Sequence, residues 1–273
     1  MYHHSSHPLA AAAATLAAIL AMVPTAPTVA ASWEIAPHRA VYSLDLAIAR
    51  GGATVSDVDG RMEFQWGESC DGWTVEQTYD MTLYYQQGGA VTLESRYASW
   101  ESKDGLHFTF TNRNSTNGVV DEETRGEATL PAAGEAGEAI LRLPEEVVYS
   151  LPAGTMFPTD HTLRLLDMAT GDSGDRFFVT YLFDGTEADE TLELSSVIGP
   201  RVAPADTGDP LLDRPSWRVD MAYFTASGQT STPDYEIGVQ LLDNGVVTEI
   251  LIDYGDFSVR ADLEEVEPIE GGC

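Results

Sequence analysis

Short runs in which apolar and polar residues alternate fill most of this chain, and Gly, Asp, Asn and Ser separate them. In the first run, Tyr42, Leu44, Leu46 and Ile48 fall on one face. Because successive side chains of a strand point to opposite faces, the pattern predicts antiparallel β-sheet built from hairpins. About a dozen strands are expected. The clearest cover 40–48, 60–66, 73–85, 90–101, 106–113, 176–183, 190–197, 216–226, 235–242, 246–254 and 257–264.

One segment, 158–169, has a helical pattern instead. Thr159 or Asp160 can cap its first turn, and Asp160 and Arg164 are spaced to form an i,i+4 ion pair. Gly171 can end the helix. The sequence therefore predicts a single short helix in an otherwise all-β chain.

The residues after the predicted signal, 32–273, are enough for one large β domain or two small ones. The small residues at 131–137 are interpreted as a linker between a first sheet-rich half at about 36–130 and a second at about 140–273. Asn244-Gly245 predicts a hairpin turn, the clearest in the chain.

The first 31 residues contain no Asp, Glu, Lys or Arg. An apolar run at 9–23, a proline and small residues up to Ala31 follow the pattern of a cleaved export signal, although histidines stand where its basic start is expected. The mature chain is predicted to begin at Ala31 or Ser32. An uncleaved anchor is the alternative, but the run is short for a bilayer, which takes about 20 residues. We therefore expect an exported protein without a stable membrane anchor.

The chain has two cysteines, Cys70 and its last residue, Cys273. In an oxidising compartment such a pair forms a disulfide. The bridge would close a loop of 203 residues, from position 70 to position 273. It would tie the end of the chain to its first third.

The chain is strongly acidic, with 44 acidic residues against 14 basic ones and a net charge of −30. Nucleic acids and anionic lipid surfaces are bound through Lys and Arg, so this balance argues against both as partners. A heavily solvated surface is the simplest interpretation of the charge. Calcium binding by that surface is the alternative.

The sequence predicts no metal site and no cofactor. His38, His107 and His161 are not at ligand spacing and have no cysteine nearby. The segments 57–60 and 253–256 look like the start of calcium loops but lack the later ligand positions. We interpret both as strand connections.

No catalytic residue is assigned. Residues 171–175 resemble the Gly-Asp-Ser-Gly-Gly run around the nucleophile of chymotrypsin-like proteases, which would make Ser173 a nucleophile. Asp175 replaces the last glycine, and no segment supplies a suitable base. The residue types favour a turn, and a hydrolase using Ser173 is the alternative.

Several aromatic residues at strand spacing either pack in the core or line a ligand groove. They are Trp66, Trp73, Tyr84, Tyr85, Tyr97 and Trp100.

A set of segments, in this order, resembles the EipB-like family of periplasmic cell-envelope integrity proteins of alphaproteobacteria, formerly a domain of unknown function. The resemblance covers nearly all of residues 36–273. Its segments are 36–42 (APHRAVY), 70–73 (CDGW), 151–161 (LPAGTMFPTDH), 183–186 (FDGT), 241–246 (LLDNGV) and 253–257 (DYGDF), followed by the terminal cysteine.

The resemblance implies a single domain over residues 32–273, a β-spiral of two overlapping, strongly curved antiparallel half-barrels with a helix in the concave groove. It implies a disulfide between Cys70 and Cys273, a periplasmic location and no enzymatic activity. It further implies a role in envelope integrity under stress, together with an envelope-associated tetratricopeptide-repeat protein. We expect the curved sheet to offer a groove to a hydrophobic ligand or a protein segment. The two alternatives to this role are a secreted hydrolase that uses Ser173 and a periplasmic carrier of lipids between membranes.

Overall fold

The computed structural model describes residues 35–171, 174–186, 191–225 and 231–272. The predicted signal at 1–31, the predicted mature start, Ser173 and Cys273 lie outside the described residues. No helix in the described ranges is both long and apolar enough to cross a bilayer.

The described residues form fifteen strands and one helix. They are β1 (His38–Ala49), β2 (Val55–Glu68), β3 (Gly72–Tyr85), β4 (Ala90–Ser102), β5 (His107–Thr116), β6 (Val119–Thr129), β7 (Gly137–Leu143), β8 (Val147–Leu151), β9 (Thr155–Met156), α1 (Pro158–Thr170), β10 (Phe177–Leu182), β11 (Leu192–Val202), β12 (Ser216–Thr225), β13 (Tyr235–Leu242), β14 (Val247–Asp253) and β15 (Phe257–Pro268). The predicted all-β class with one short helix is confirmed.

All fifteen strands belong to one sheet, in the order β8-β7-β6-β5-β4-β3-β2-β1-β15-β14-β13-β12-β11-β10-β9. The antiparallel pair β1 and β15 joins the first eight strands to the rest. The two end strands, β8 and β9, are consecutive in the chain, with only residues 152–154 between them. Because such a short connection links opposite ends of the sheet, the sheet must curl round until it is nearly closed like a barrel.

Aromatic side chains fill the place where the two ends of the sheet meet. Phe108 and Phe110, on β5, belong to one buried cluster with Phe157 and Phe183, which flank α1 and β10. The rings of Phe108 and Phe157 stack at 5.0 Å, and those of Phe110 and Phe183 meet edge to face at 5.7 Å. The two ends of the sheet are therefore joined by side-chain packing, and β8 and β9 form no backbone hydrogen-bond ladder with each other.

The predicted alternation holds for most of β1 and then fails for a local reason. Tyr42 and Leu44 are buried, whereas Ile48 is 49% exposed. A register shift between Leu46 and Ile48 against β15 explains the difference, because a β-bulge moves the following side chain out of step with the pleat.

Two predictions about the middle of the chain are wrong. Residues 131–137 are not a linker, because β6 and β7 on either side of them pair as an antiparallel hairpin. The strands β7, β8 and β9 lie in a region where no strands are predicted. Gly126 lies inside β6, where a Cβ would come within 2.7 Å of the Phe110 ring.

Helix α1 is confirmed, but its predicted stabilising contacts are not. Phe157 is its N-cap residue and supplies no side-chain hydrogen bond. The guanidinium of Arg164 contacts Asp167 at 3.3 Å rather than Asp160. Gly171 does end the helix, with its N–H bonded to the carbonyl of Asp167.

The predicted hairpin turn at Asn244-Gly245 is confirmed between β13 and β14, with Gly245 at a φ of +87°. Residues 254–256 connect β14 to β15, as interpreted from the sequence. Residues 57–60 lie within β2, so the interpretation of that segment as a strand connection is wrong.

Candidate functional site

A cavity of about 630 Å³ lies between α1 and the concave face of the sheet. Most of its wall is apolar. Its apolar lining includes Phe64, Trp66, Val75, Ile237, Val239 and Val247. The helix contributes Leu165, and β12 contributes Met221. The volume is in the range of small-molecule binding sites in proteins.

One region of the wall is polar because of the register of four neighbouring strands. Tyr79 on β3 pairs with Ser95 on β4, Ser95 with Asn114 on β5, and Asn114 with Glu122 on β6. All four side chains line the cavity. The Asn114 amide donates a hydrogen bond of 3.3 Å to the Glu122 carboxylate.

The segment after β10 brings a second carboxylate to the cavity. The Tyr97 hydroxyl donates to the backbone carbonyl of Asp184 at 2.9 Å, which fixes this segment against β4. The Asp184 carboxylate accepts bonds from the backbone N–H and the hydroxyl of Thr186, at 2.9 and 2.7 Å. The pKa of Tyr97 and that of Tyr223 are raised, first by burial and next by the negative Asp184. Asp184, Tyr97 and Tyr223 all line the cavity.

The start of α1 is held by a buried carboxylate from the sheet. Glu101, on β4, is 2% exposed and accepts the backbone N–H groups of Thr159 and Asp160, each at 2.7 Å. Burial raises the pKa of Glu101 to about 7, while the two amide bonds act in the opposite direction. The carboxylate replaces the side-chain cap that the helix does not provide for itself.

His161 is a buried titratable side chain on α1. It is 4% exposed, and its Nε2 lies 3.2 Å from the Ser196 hydroxyl. Burial lowers its pKa to about 4, so its ring is neutral at neutral pH. His38 instead bonds the Ala36 carbonyl at 2.7 Å, and His107 is exposed. Within the described ranges, no group of three or more His, Cys, Asp or Glu side chains has the arrangement of a metal site.

The end of the chain reaches the turn that carries Cys70. The N–H of Gly272 donates to the Glu68 carbonyl at 2.8 Å, and the Cys70 Sγ lies 3.8 Å from the Gly272 carbonyl oxygen. Cys273 itself is outside the described residues. The neighbourhood is the one that the predicted bridge requires, and the bond stays a prediction.

The aromatic residues do not divide cleanly between the two roles left open by the sequence. Trp66 and Tyr97 line the cavity, and Trp66 also packs in a buried cluster with Trp73 and Ile35. Tyr84 is 41% exposed and has neither role. Trp66 Nε1 is buried and has no hydrogen-bond partner among the described residues.

Sequence reasoning missed the acidic residues of the site. Glu101, Glu122 and Asp184 are far apart in the chain, and no local motif marks any of them. Asp184 is part of the family-like segment 183–186, which was the one available signal. The predicted alternative nucleophile, Ser173, is outside the described residues.

Comparison with known proteins agrees with this architecture. The EipB-like family model matches residues 29–270. The chain is 30% identical over 256 residues to the cell envelope integrity protein EipB of Brucella abortus, covering 90% of this chain and 89% of that protein. It also matches the crystal structure of a beta-barrel-like protein of the domain of unknown function DUF1849 from Brucella abortus. That match has a TM-score of 0.79 and 29% identity, and it covers 88% of this chain and 100% of the other. Since the family match spans nearly the whole fold, the chain belongs to the EipB-like family.

Proposed function

We propose that this protein supports cell-envelope integrity in the periplasm by binding a hydrophobic ligand in its concave cavity, without catalysing a reaction. The cavity of about 630 Å³ carries the proposal. The name of its Brucella relative supports the role in the envelope.

The chemistry of the wall supports an apolar ligand. Apolar side chains from β2, β3, β13, β14 and the helix line the cavity, so an occupant would bury apolar surface against them. Each buried CH₂ of such an occupant contributes about 0.8 kcal/mol. Lipid carriage is one form of this function.

Native mass spectrometry of protein released gently from the periplasm tests the proposal. We expect added mass on the wild type, with acyl chains if the occupant is a lipid. Val75→Trp, at the cavity wall, should abolish the added mass. The matched control is Val148→Trp, because Val148 is 59% exposed on β8. Empty wild-type protein, or equal retention by Val75→Trp, would contradict the proposal.

A protein partner is the second candidate, and the outer face of β10 favours it. Phe177 and Val179 are 59% and 50% exposed. Only Tyr181 and Leu182 of β10 pair with β9, so the rest of this strand has an open edge among the described residues. Such an edge accepts an extended segment as an added strand. The net charge of −30 favours a segment that alternates apolar and basic residues.

Photo-crosslinking in the periplasm tests this second candidate, with the crosslinker at position 177 and a control at position 148. A crosslinked basic, extended segment found only from position 177 would support it. The same products from both positions would count against it. The tetratricopeptide-repeat partner stays a prediction, and this experiment would test it by identifying the crosslinked protein.

A further inference from the structure

The cavity contains acidic side chains although most of its wall is apolar. Two carboxylates, Glu122 and Asp184, line it, and no Lys or Arg is among the described lining residues. His161, the one imidazole of the lining, is neutral because burial lowers its pKa to about 4. The described interior is therefore a largely apolar space lined by two carboxylates and by no basic side chain.

Neither carboxylate is neutralised by the protein. Among the described residues, all ion pairs involve other acidic groups. Glu122 has a single amide donor, Asn114, and Asp184 has the two donors of Thr186. Hydrogen bonds from neutral groups keep these carboxylates solvated without cancelling their charge.

Three tyrosines, Tyr97, Tyr223 and Tyr235, line the same cavity as Asp184. The Tyr97 hydroxyl donates to the backbone carbonyl of Asp184 at 2.9 Å, and Tyr223 stacks on Tyr235 with 4.6 Å between ring centroids. Carboxylates together with aromatic faces form the environment that binds an ammonium group, through Coulomb attraction and cation–π contact. An anionic head group would meet two like charges there.

We infer that the cavity takes a cationic amphiphile, an alkyl chain bearing an ammonium group, with the chain along the apolar wall and the ammonium at Asp184 and Glu122. This inference rests on the proposed function, since it names the class of ligand for the same cavity. It predicts discrimination against anionic lipids and fatty acids of the same chain length.

Calorimetric titration with three amphiphiles of one chain length tests the inference. The ligands are dodecyltrimethylammonium, dodecyl maltoside and laurate, each below its micellar concentration. We expect the cation to bind at least about tenfold more tightly than laurate, with the neutral maltoside between them. Asp184→Asn should weaken binding of the cation at least about fivefold and leave the maltoside unchanged, because Asn keeps an acceptor for Thr186.

The control variant separates the cavity from the acidic surface. Asp121→Asn changes the net charge by the same amount, at an exposed position next to Glu122. It should change the affinity of the cation less than about twofold. An equal loss in Asp121→Asn and Asp184→Asn would overturn the inference, because surface charge alone would then explain the preference.

The outcomes also separate this inference from the proposed function. Equal binding of all three amphiphiles, abolished by Val75→Trp, would overturn the charge preference and leave the hydrophobic cavity function standing. No binding of any of them would overturn both.

Discussion

Glu101 sets two physical effects against each other, and a single substitution decides between them. The carboxylate is 2% exposed, and desolvation favours its protonated form. Two backbone N–H groups at the start of α1 donate to it and favour the ionised form. Burial is the larger effect, and it raises the pKa from 4.5 to about 7.

A raised pKa in the folded state makes stability fall as pH rises. The folded protein binds the Glu101 proton more tightly than the unfolded chain, so this contribution is fully present below pH 4.5 and is lost as the pH passes about 7. From about pH 5 to about pH 8.5, the loss is about 2.5 kcal/mol. Asp160 acts in the same direction, because burial also raises its pKa.

Urea unfolding of the wild type and of Glu101→Gln, followed by tryptophan fluorescence, measures this loss. Gln does not titrate, so the difference in unfolding free energy between the two proteins should change by about 2.5 kcal/mol over that pH range. The wild type should become less stable relative to Glu101→Gln as the pH rises. Repulsion within a chain of charge −30 affects both proteins and cancels in the difference. The working range stays above the pI of about 4.2.

Glu94→Gln is the matched control, because Glu94 is exposed on the same strand. It should leave the pH dependence of the wild type unchanged. If the wild type instead gains stability over Glu101→Gln as the pH rises, the amide bonds and the helix dipole outweigh burial, and the reasoning is wrong.

Two further predictions concern how the fold is closed. Replacing Cys70 and Cys273 by Ser should lower the melting temperature by several degrees and speed limited proteolysis, since closing a 203-residue loop contributes up to about 5 kcal/mol. Equal melting temperatures with and without reductant would show that no such bridge stabilises the fold. Gly185→Ala, at a φ of +72° and with its Cβ 2.4 Å from the Phe110 ring, should cost about 3 kcal/mol in urea unfolding. Gly208→Ala, at a φ of +83° in open space, should cost about 1 kcal/mol, and equal costs would show that the ring yields freely.

The sequence predicts the local structure well where a local pattern determines it. Helix α1 lies where its periodicity places it, and Asn244-Gly245 forms the expected turn because Gly245 adopts a φ of +87° that few other residues tolerate. Ile48 is exposed despite its place in the alternation, since a bulge depends on the partner strand and not on β1 alone. The cap of α1 was unpredictable for the same reason, because Glu101 is 58 positions from the N–H group of Thr159.

The polar row of the cavity shows why the site could not be predicted. The row depends on the register of three successive hairpins, which pairs Tyr79 with Ser95, Ser95 with Asn114, and Asn114 with Glu122. A shift of one residue in any of these hairpins would turn the following side chain to the convex face. β5 and β6 contain such a shift between Asn114 and Ser115, next to the row itself. The composition shows that the chain is acidic, but the strand register decides which of its acidic side chains face the cavity.

The cavity itself follows from the number of strands. Barrels of about eight strands are filled by their own side chains, whereas those of about sixteen leave an open interior. A nearly closed sheet of fifteen strands is therefore too wide for its inward side chains to meet across it. Helix α1 fills part of this space, where Leu165, Leu166 and Met168 pack against β10 to β13. The volume left beside it is the cavity, which is thus a consequence of the architecture, while its inward Glu122 and Asp184 are specific to the sequence. A binding function that uses the cavity can therefore change its ligand by substitutions at these positions without changing the fold.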